Sequence, residues 1–87
     1  MIQVKKFYAD WCGPCKMLTP IMEQVKGNFS DIDFQNIDIE SQYEIAQKYY
    51  VRSVPTVIIE KNGEEIHRFA GLQSEMAYTN ALNELKN

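Results

Sequence analysis

A chain of 87 residues has room for one domain and one core, taken here as residues 1–87. Its hydrophobic share of 45% and charged share of 24% are those of an ordinary globule, which excludes a disordered or low-complexity chain. Nine basic and twelve acidic residues leave a net charge of −3, which argues against a phosphate-binding surface for nucleic acid.

Ile2 to Tyr8 alternates enough to predict a first strand, with Ile2, Val4 and Tyr8 on one face and Phe7 on the other. From Gly13 to about Lys26 the apolar residues Met17, Leu18, Ile21, Met22 and Val25 recur at helical spacing, and Gly27-Asn28 ends the pattern. Pro20 falls inside that helix, where it deletes a backbone donor and predicts a kink. Ile32 to Asp38 reads as a second strand. Ser41-Gln42-Tyr43-Glu44 fits a capping box and predicts a short helix over Gln42 to Tyr49. Val54 to Glu60 contains Val57-Ile58-Ile59, an apolar run suited to a strand covered on both faces. Asn62-Gly63 favours a tight hairpin turn, and Glu65 to Phe69 is the returning strand. Ser74 can cap a last helix with Tyr78, Ala81, Leu82 and Leu85 on one face. The order is βαβαββα, with the first two strands parallel across a helical crossover and the last two a hairpin. A four-stranded mixed sheet with helices on both faces is the economical α/β packing.

The N-terminus enters its first strand directly. With no basic region leading into a long apolar stretch and no run of membrane-spanning length, no signal peptide or membrane segment is expected, and a cytoplasmic address follows as the default. In that reducing compartment two cysteines three residues apart are catalytic or metal-binding before they are structural, and a loop so short constrains little of the unfolded chain.

Trp11-Cys12-Gly13-Pro14-Cys15 lies between the first strand and the first helix. Unpaired N–H groups and the positive dipole end of a helix stabilise a thiolate there. Cys12 is therefore expected to have a depressed pKa and to act as the nucleophile, with Cys15, one turn on, as the resolving thiol. Pro14 suits a first turn, where its missing N–H costs nothing. The rival reading is zinc, which usually takes four ligands. The chain offers two cysteines and His67, and that histidine reads as a solvated strand residue. Tyr43, Tyr49, Tyr50 and Tyr78 read as packing residues.

These residues resemble the thioredoxin family. Trp11-Cys12-Gly13-Pro14-Cys15-Lys16 reproduces that family's active-site sequence, Pro20 resembles its kink proline, and Ser53-Val54-Pro55-Thr56 resembles its cis-proline loop. Gly63 stands at the hairpin-turn glycine and Gly71 at the glycine beside the active site. The resemblance implies a sheet ordered β2-β1-β3-β4 and a redox-active Cys12–Cys15 disulfide with no bound cofactor and no metal. It also implies a Val54–Pro55 peptide bond in the cis form. The activity implied is reduction of disulfide-containing protein substrates by a monomer recycled by a thioredoxin reductase. Alternatives are a glutaredoxin-like enzyme served by glutathione, suggested by the length, and a binding module with incidental redox activity.

Within the resemblance, Trp11, Gly13, Pro14, Val54, Pro55 and Gly71 form the substrate-binding surface. Each has a plainer reading: a core tryptophan at Trp11, a strand-opening proline at Pro55, a turn glycine at Gly71. Lys16 is either a charge near the thiolate or a solvated helix lysine. Two departures stand out. The chain starts at what would be the family's second strand, so thinner helical cover over one face is expected. The family also carries a buried aspartate six residues before the first cysteine, where this chain has Lys6, and Asn36 stands where a neighbouring lysine is common. A buried unpaired lysine is costly, so the Lys6 ammonium is expected to reach solvent where the face is open.

Overall fold

Residues 1–86 are described by a computed structural model. They run β1 (Ile2–Tyr8), α1 (Gly13–Gly27), β2 (Asp33–Asp38), α2 (Tyr43–Lys48), β3 (Thr56–Lys61), β4 (Glu64–Ala70) and α3 (Glu75–Lys86). The four strands form one sheet in the order β2-β1-β3-β4. β1 runs parallel to β2 and antiparallel to β3, and β3 pairs antiparallel with β4. This is the expected α/β architecture, with helices on both faces.

The period of two along β1 and β3 divides the interior into two cores. Val4, Val57 and Ile59 point to one side, where Leu18, Met22 and Val25 of α1 and Tyr78, Ala81 and Leu82 of α3 complete the larger cluster. Phe7 and Ile58 point to the other, against Ile37 and Ala46, with Ile45 and Tyr49 around them. The apolar run Val57-Ile58-Ile59 is thus covered on both faces, and each fully buried aliphatic contributes roughly 1.5–3 kcal/mol. Pro20 lies within α1 and offers no N–H to the turn before it. Asn62 and Gly63 both take positive φ, 54° and 84°, as a tight hairpin turn requires. Ser74 Oγ accepts the Ala77 N–H at 3.3 Å and caps α3 as expected.

Three local expectations are corrected. No side chain caps α2: its N-cap is Gln42, whose Oε1 instead accepts the Asp38 N–H at 3.3 Å, while Asp38 Oδ1 accepts the Glu40 N–H at 2.9 Å. The loop satisfies itself through Asp38, and the capping box from Ser41 to Glu44 does not form. β3 begins at Thr56, two residues later than predicted, because Ser53 to Pro55 make a turn fastened by the Thr56 hydroxyl donating to the Ser53 carbonyl at 2.7 Å. Tyr78 is buried and Tyr49 half-buried, but Tyr43 and Tyr50 are exposed, and Tyr50 adopts a positive φ of 56° just after α2.

On the α2 face, the same alternation that buries Phe7 also buries Lys5. Its Nζ donates to Glu60 Oε1 at 2.7 Å, with side-chain exposures of 11% and 7%, and to Gln3 Oε1 at 2.8 Å. The Tyr49 ring lies 5.8 Å from that ammonium, and burial, together with the nearby Glu60 carboxylate, raises the Tyr49 phenol above its ordinary value. Removing one partner of such a pair leaves the other charge buried and uncompensated. Glu60→Ala should lower the unfolding free energy by about 3 kcal/mol in urea titrations. The double variant Lys5→Met/Glu60→Leu should recover most of that loss, because neither side chain then carries a buried charge.

Candidate active site

The C-terminal ends of β1, β2 and β4 and the N-terminal end of β3 share one edge of the sheet, a direct result of the pairing directions. The loops leaving that edge bring the predicted site residues together. β1 delivers the chain through Ala9 and Asp10 to Trp11 and Cys12. Cys12 is the N-cap of α1, with φ −88° and ψ 109°, and Pro14 occupies the first turn as expected.

The Cys12 Sγ accepts the Cys15 backbone N–H at 3.1 Å, which places sulfur where the first turn has N–H groups without intrahelical partners. The two cysteines are joined as a disulfide with Cα atoms 5.3 Å apart. Both are buried, at 4% and 3% exposure, and they pack with Ala9 against Tyr8, Ile39 and Val54. Burial therefore does not separate an attacking from a resolving sulfur in this oxidised form. The amide contact distinguishes Cys12, and a cleft distinguishes Cys15.

Across from the disulfide, the Val54–Pro55 peptide bond is cis. The Gly71 N–H donates to the Pro55 carbonyl at 2.8 Å, closing the register in which Thr56 faces Ala70. Gly71 has φ 86°, and a Cβ built there would meet no atom within 4 Å, so open space lies over it. The Pro55 ring is fully buried while Val54 is half-buried, so the segment presents Val54 and not the proline ring. Trp11 is 65% exposed and Gly13 and Pro14 are exposed. The plain reading of Trp11 as a core residue does not hold.

Behind the disulfide a cleft of about 290 Å³ is lined by Cys15 and Lys16 of α1, Tyr8 and Lys6 of β1, and Asn36 of β2, with Thr19 at its edge. Lys6 and Asn36 are register partners in the parallel pair. Lys6 does not sit at an open face as expected. Its place in the alternation turns it toward α1, it is 8% exposed, and its Nζ donates to Thr19 Oγ1 at 3.5 Å. Burial pulls its pKa below the ordinary lysine value, with Glu23 pulling the other way. Lys16 is exposed and contributes to the same wall.

The sequence reading missed Thr19, Tyr8, Asp10 and Ile39 as neighbours of the site. Thr19 was accessible in principle, one helical turn after Cys15, whereas Ile39 arrives only through the Ile39 N–H donating to the Tyr8 carbonyl at 3.0 Å. His67 lies on β4, stacked on Phe69 with ring centroids 5.9 Å apart, and belongs to no part of the cysteine cluster. Among the described residues no group of three or more His, Cys, Asp or Glu side chains is arranged to hold a metal.

The thioredoxin family model matches residues 2–84. The thioredoxin of Chlamydia pneumoniae is 40% identical over 77 residues, which cover 88% of this chain and 76% of that protein. Thioredoxin-2 of Saccharomyces cerevisiae is 43% identical over 68 residues, covering 78% of this chain and 65% of its own. Among solved structures, a mutant thioredoxin from Halobacterium salinarum NRC-1 superposes with a TM-score of 0.87 at 36% identity, covering 95% of this chain and 73% of that one. A helix that starts on a sulfur bonded one turn ahead is, with these relatives, sufficient to place the protein. The chain belongs to the thioredoxin family and is a thiol–disulfide oxidoreductase whose redox group is the Cys12–Cys15 disulfide.

Proposed function

We propose that Cys12 is the attacking thiolate and Cys15 the resolving thiol of a dithiol carrier that reduces protein disulfides, and that a thioredoxin reductase recycles it. The observation that carries the assignment is the Cys15 N–H donated to Cys12 Sγ. When the disulfide is reduced, that hydrogen bond and the positive end of α1 favour the charged form of Cys12 over the thiol.

In the forward reaction the Cys12 thiolate attacks one sulfur of a substrate disulfide. The Cys12–substrate bond forms, the substrate S–S bond breaks, and the departing sulfur takes a proton. Cys15 then loses its proton and attacks Cys12 Sγ, forming the Cys12–Cys15 bond and releasing the second substrate sulfur as a thiol. Two electrons pass from the dithiol to the substrate. Two more, delivered by the reductase, restore it.

Trp11, Gly13, Pro14, Val54, Pro55 and Gly71 are proposed as the substrate-binding surface. Exposed Trp11 and half-buried Val54 offer apolar contact beside the sulfurs, Pro55 fixes the segment that presents Val54, and Gly71 leaves its approach clear. A Val54 backbone that makes no hydrogen bond among the described residues suits an extended substrate segment pairing as a short strand. The carrier is proposed to act as a monomer in the cytoplasm, where the reducing thiol pool suits a turning-over Cys-x-x-Cys pair. No helix among the described residues is long and apolar enough to cross a membrane.

Three outcomes test this reading. Cys15→Ser should accumulate mixed disulfides through Cys12 on non-reducing gels, and failure to trap any reverses the two roles. Disulfide reduction should proceed with a thioredoxin reductase and NADPH; turnover only with glutathione and its reductase makes the protein a glutaredoxin-like enzyme instead. Gly71→Ala should cost about 1 kcal/mol of stability from its positive φ. It should also raise KM for a protein disulfide severalfold while leaving alkylation of reduced Cys12 unchanged.

A further inference from the structure

Two lysines stand side by side on β1, and the fold treats them differently. Lys5 is paired with Glu60. Lys6 is equally low in overall exposure, at 8% for each residue, but its ammonium is only partly buried, lines a cleft and takes part in none of the ion pairs formed among the described residues. A partly buried ammonium outside any ion pair is a cost to the resting fold, which Glu23 offsets only in part. That cost falls when an anion appears nearby, and the group lining the same cleft that turns anionic during turnover is Cys15.

We propose that Lys6 is a positioning residue for the resolving step, holding an ammonium in the cleft behind Cys15 so that the Cys15 thiolate forms at a lower pH. The proposal rests on the assignment of Cys15 as the resolving thiol. Two observations place the charge. Lys6 and Cys15 line the same cleft of about 290 Å³, which is large enough to admit water as the immediate proton acceptor. Lys6 is also tethered to the turn that carries Cys15: its Nζ donates to Thr19 Oγ1 at 3.5 Å, and the Thr19 hydroxyl donates to the Cys15 carbonyl at 3.3 Å.

The other charges around Lys6 do not replace it. Asp10 comes from the loop after β1, and Lys16, Glu23 and Lys26 come from α1. The Tyr8 ring stands 5.7 Å from its Nζ. From β2 the cleft walls receive Phe34, Gln35 and Asn36, none of them charged. Two carboxylates and two ammoniums offset one another, so the net charge of the region is that of Lys6. Burial lowers its pKa, and Glu23 acts in the opposite direction.

At the mixed-disulfide stage the Cys15 S–H proton passes to water in the cleft, and the resulting thiolate is stabilised by the Lys6 ammonium. The thiolate attacks Cys12 Sγ; the Cys12–Cys15 bond forms, the Cys12–substrate bond breaks, and the substrate sulfur leaves with the electron pair and is protonated. No further oxidant or reductant is required.

The test isolates the resolving thiol in Cys12→Ser and follows its alkylation by iodoacetamide against pH. Lys6→Met in that background should raise the apparent thiol pKa by about one unit, and Lys6→Arg should restore it. In the two-cysteine protein, single-turnover mixing with a disulfide substrate should show Lys6→Met slowing release of the second product about tenfold relative to mixed-disulfide formation at a pH below the thiol pKa. Lys6→Met removes a partly buried charge that is in no ion pair and should melt close to the parent; should it fail to fold, Lys6→Gln takes its place. Identical alkylation profiles for lysine, methionine and arginine overturn the proposal. If Cys15→Ser with Lys6 intact traps no mixed disulfide, it is instead the role assignment that fails, independently of Lys6.

Discussion

Strand β1 is hydrogen-bonded along both edges, to β2 in parallel and to β3 in antiparallel, and its side chains alternate between two buried compartments. Most of the molecule follows from that constraint. Val4 goes to the core beneath α1 and α3, Phe7 to the core beneath α2, and the strand's last residues deliver the cysteine loop to the sheet edge where β3 begins and β4 ends. A slip of one residue would exchange the two faces and with them every contact of the site.

The same alternation explains why adjacent lysines have opposite fates. Lys5 turns to the α2 side and finds Glu60, which emerges from the apolar run of β3 on that face. Lys6 turns to the α1 side and finds a hydroxyl and a cleft. Lys5 therefore has a permanent counterion, whereas Lys6 has a hydroxyl and the space of the cleft in place of an ion pair.

The site itself joins one local device to two distant ones. The local device is the helix start, where the Cys12 sulfur substitutes for an ordinary capping oxygen. The distant ones are the Val54–Pro55 segment and Gly71, fastened to each other by a single backbone hydrogen bond and to the cysteines by the packing of Val54. With both sulfurs buried, access to them depends on how those loops frame the edge, with Trp11 projecting beside them.

Features governed by short-range physics were legible in the sequence alone. The Cys12–Cys15 spacing at a strand-to-helix junction, the apolar period of α1, the Asn62-Gly63 turn and the Ser74 cap each depend on residues within a turn or two of one another. The same local reasoning failed where a neighbouring group competed for the same bonds: Asp38 and Gln42 displaced the capping box before α2, and the turn at Ser53 to Pro55 delayed β3. Tyr43 and Tyr50 misled because an aromatic side chain beside a short helix need not face a core. Only the tertiary structure decided that Val54 packs on the disulfide, that Gly71 bonds to Pro55, and that Lys6 looks toward α1 and not toward open solvent. Those outcomes depend on strand pairings between residues far apart in the chain, which local propensity does not specify and which settle only when both cores close at once.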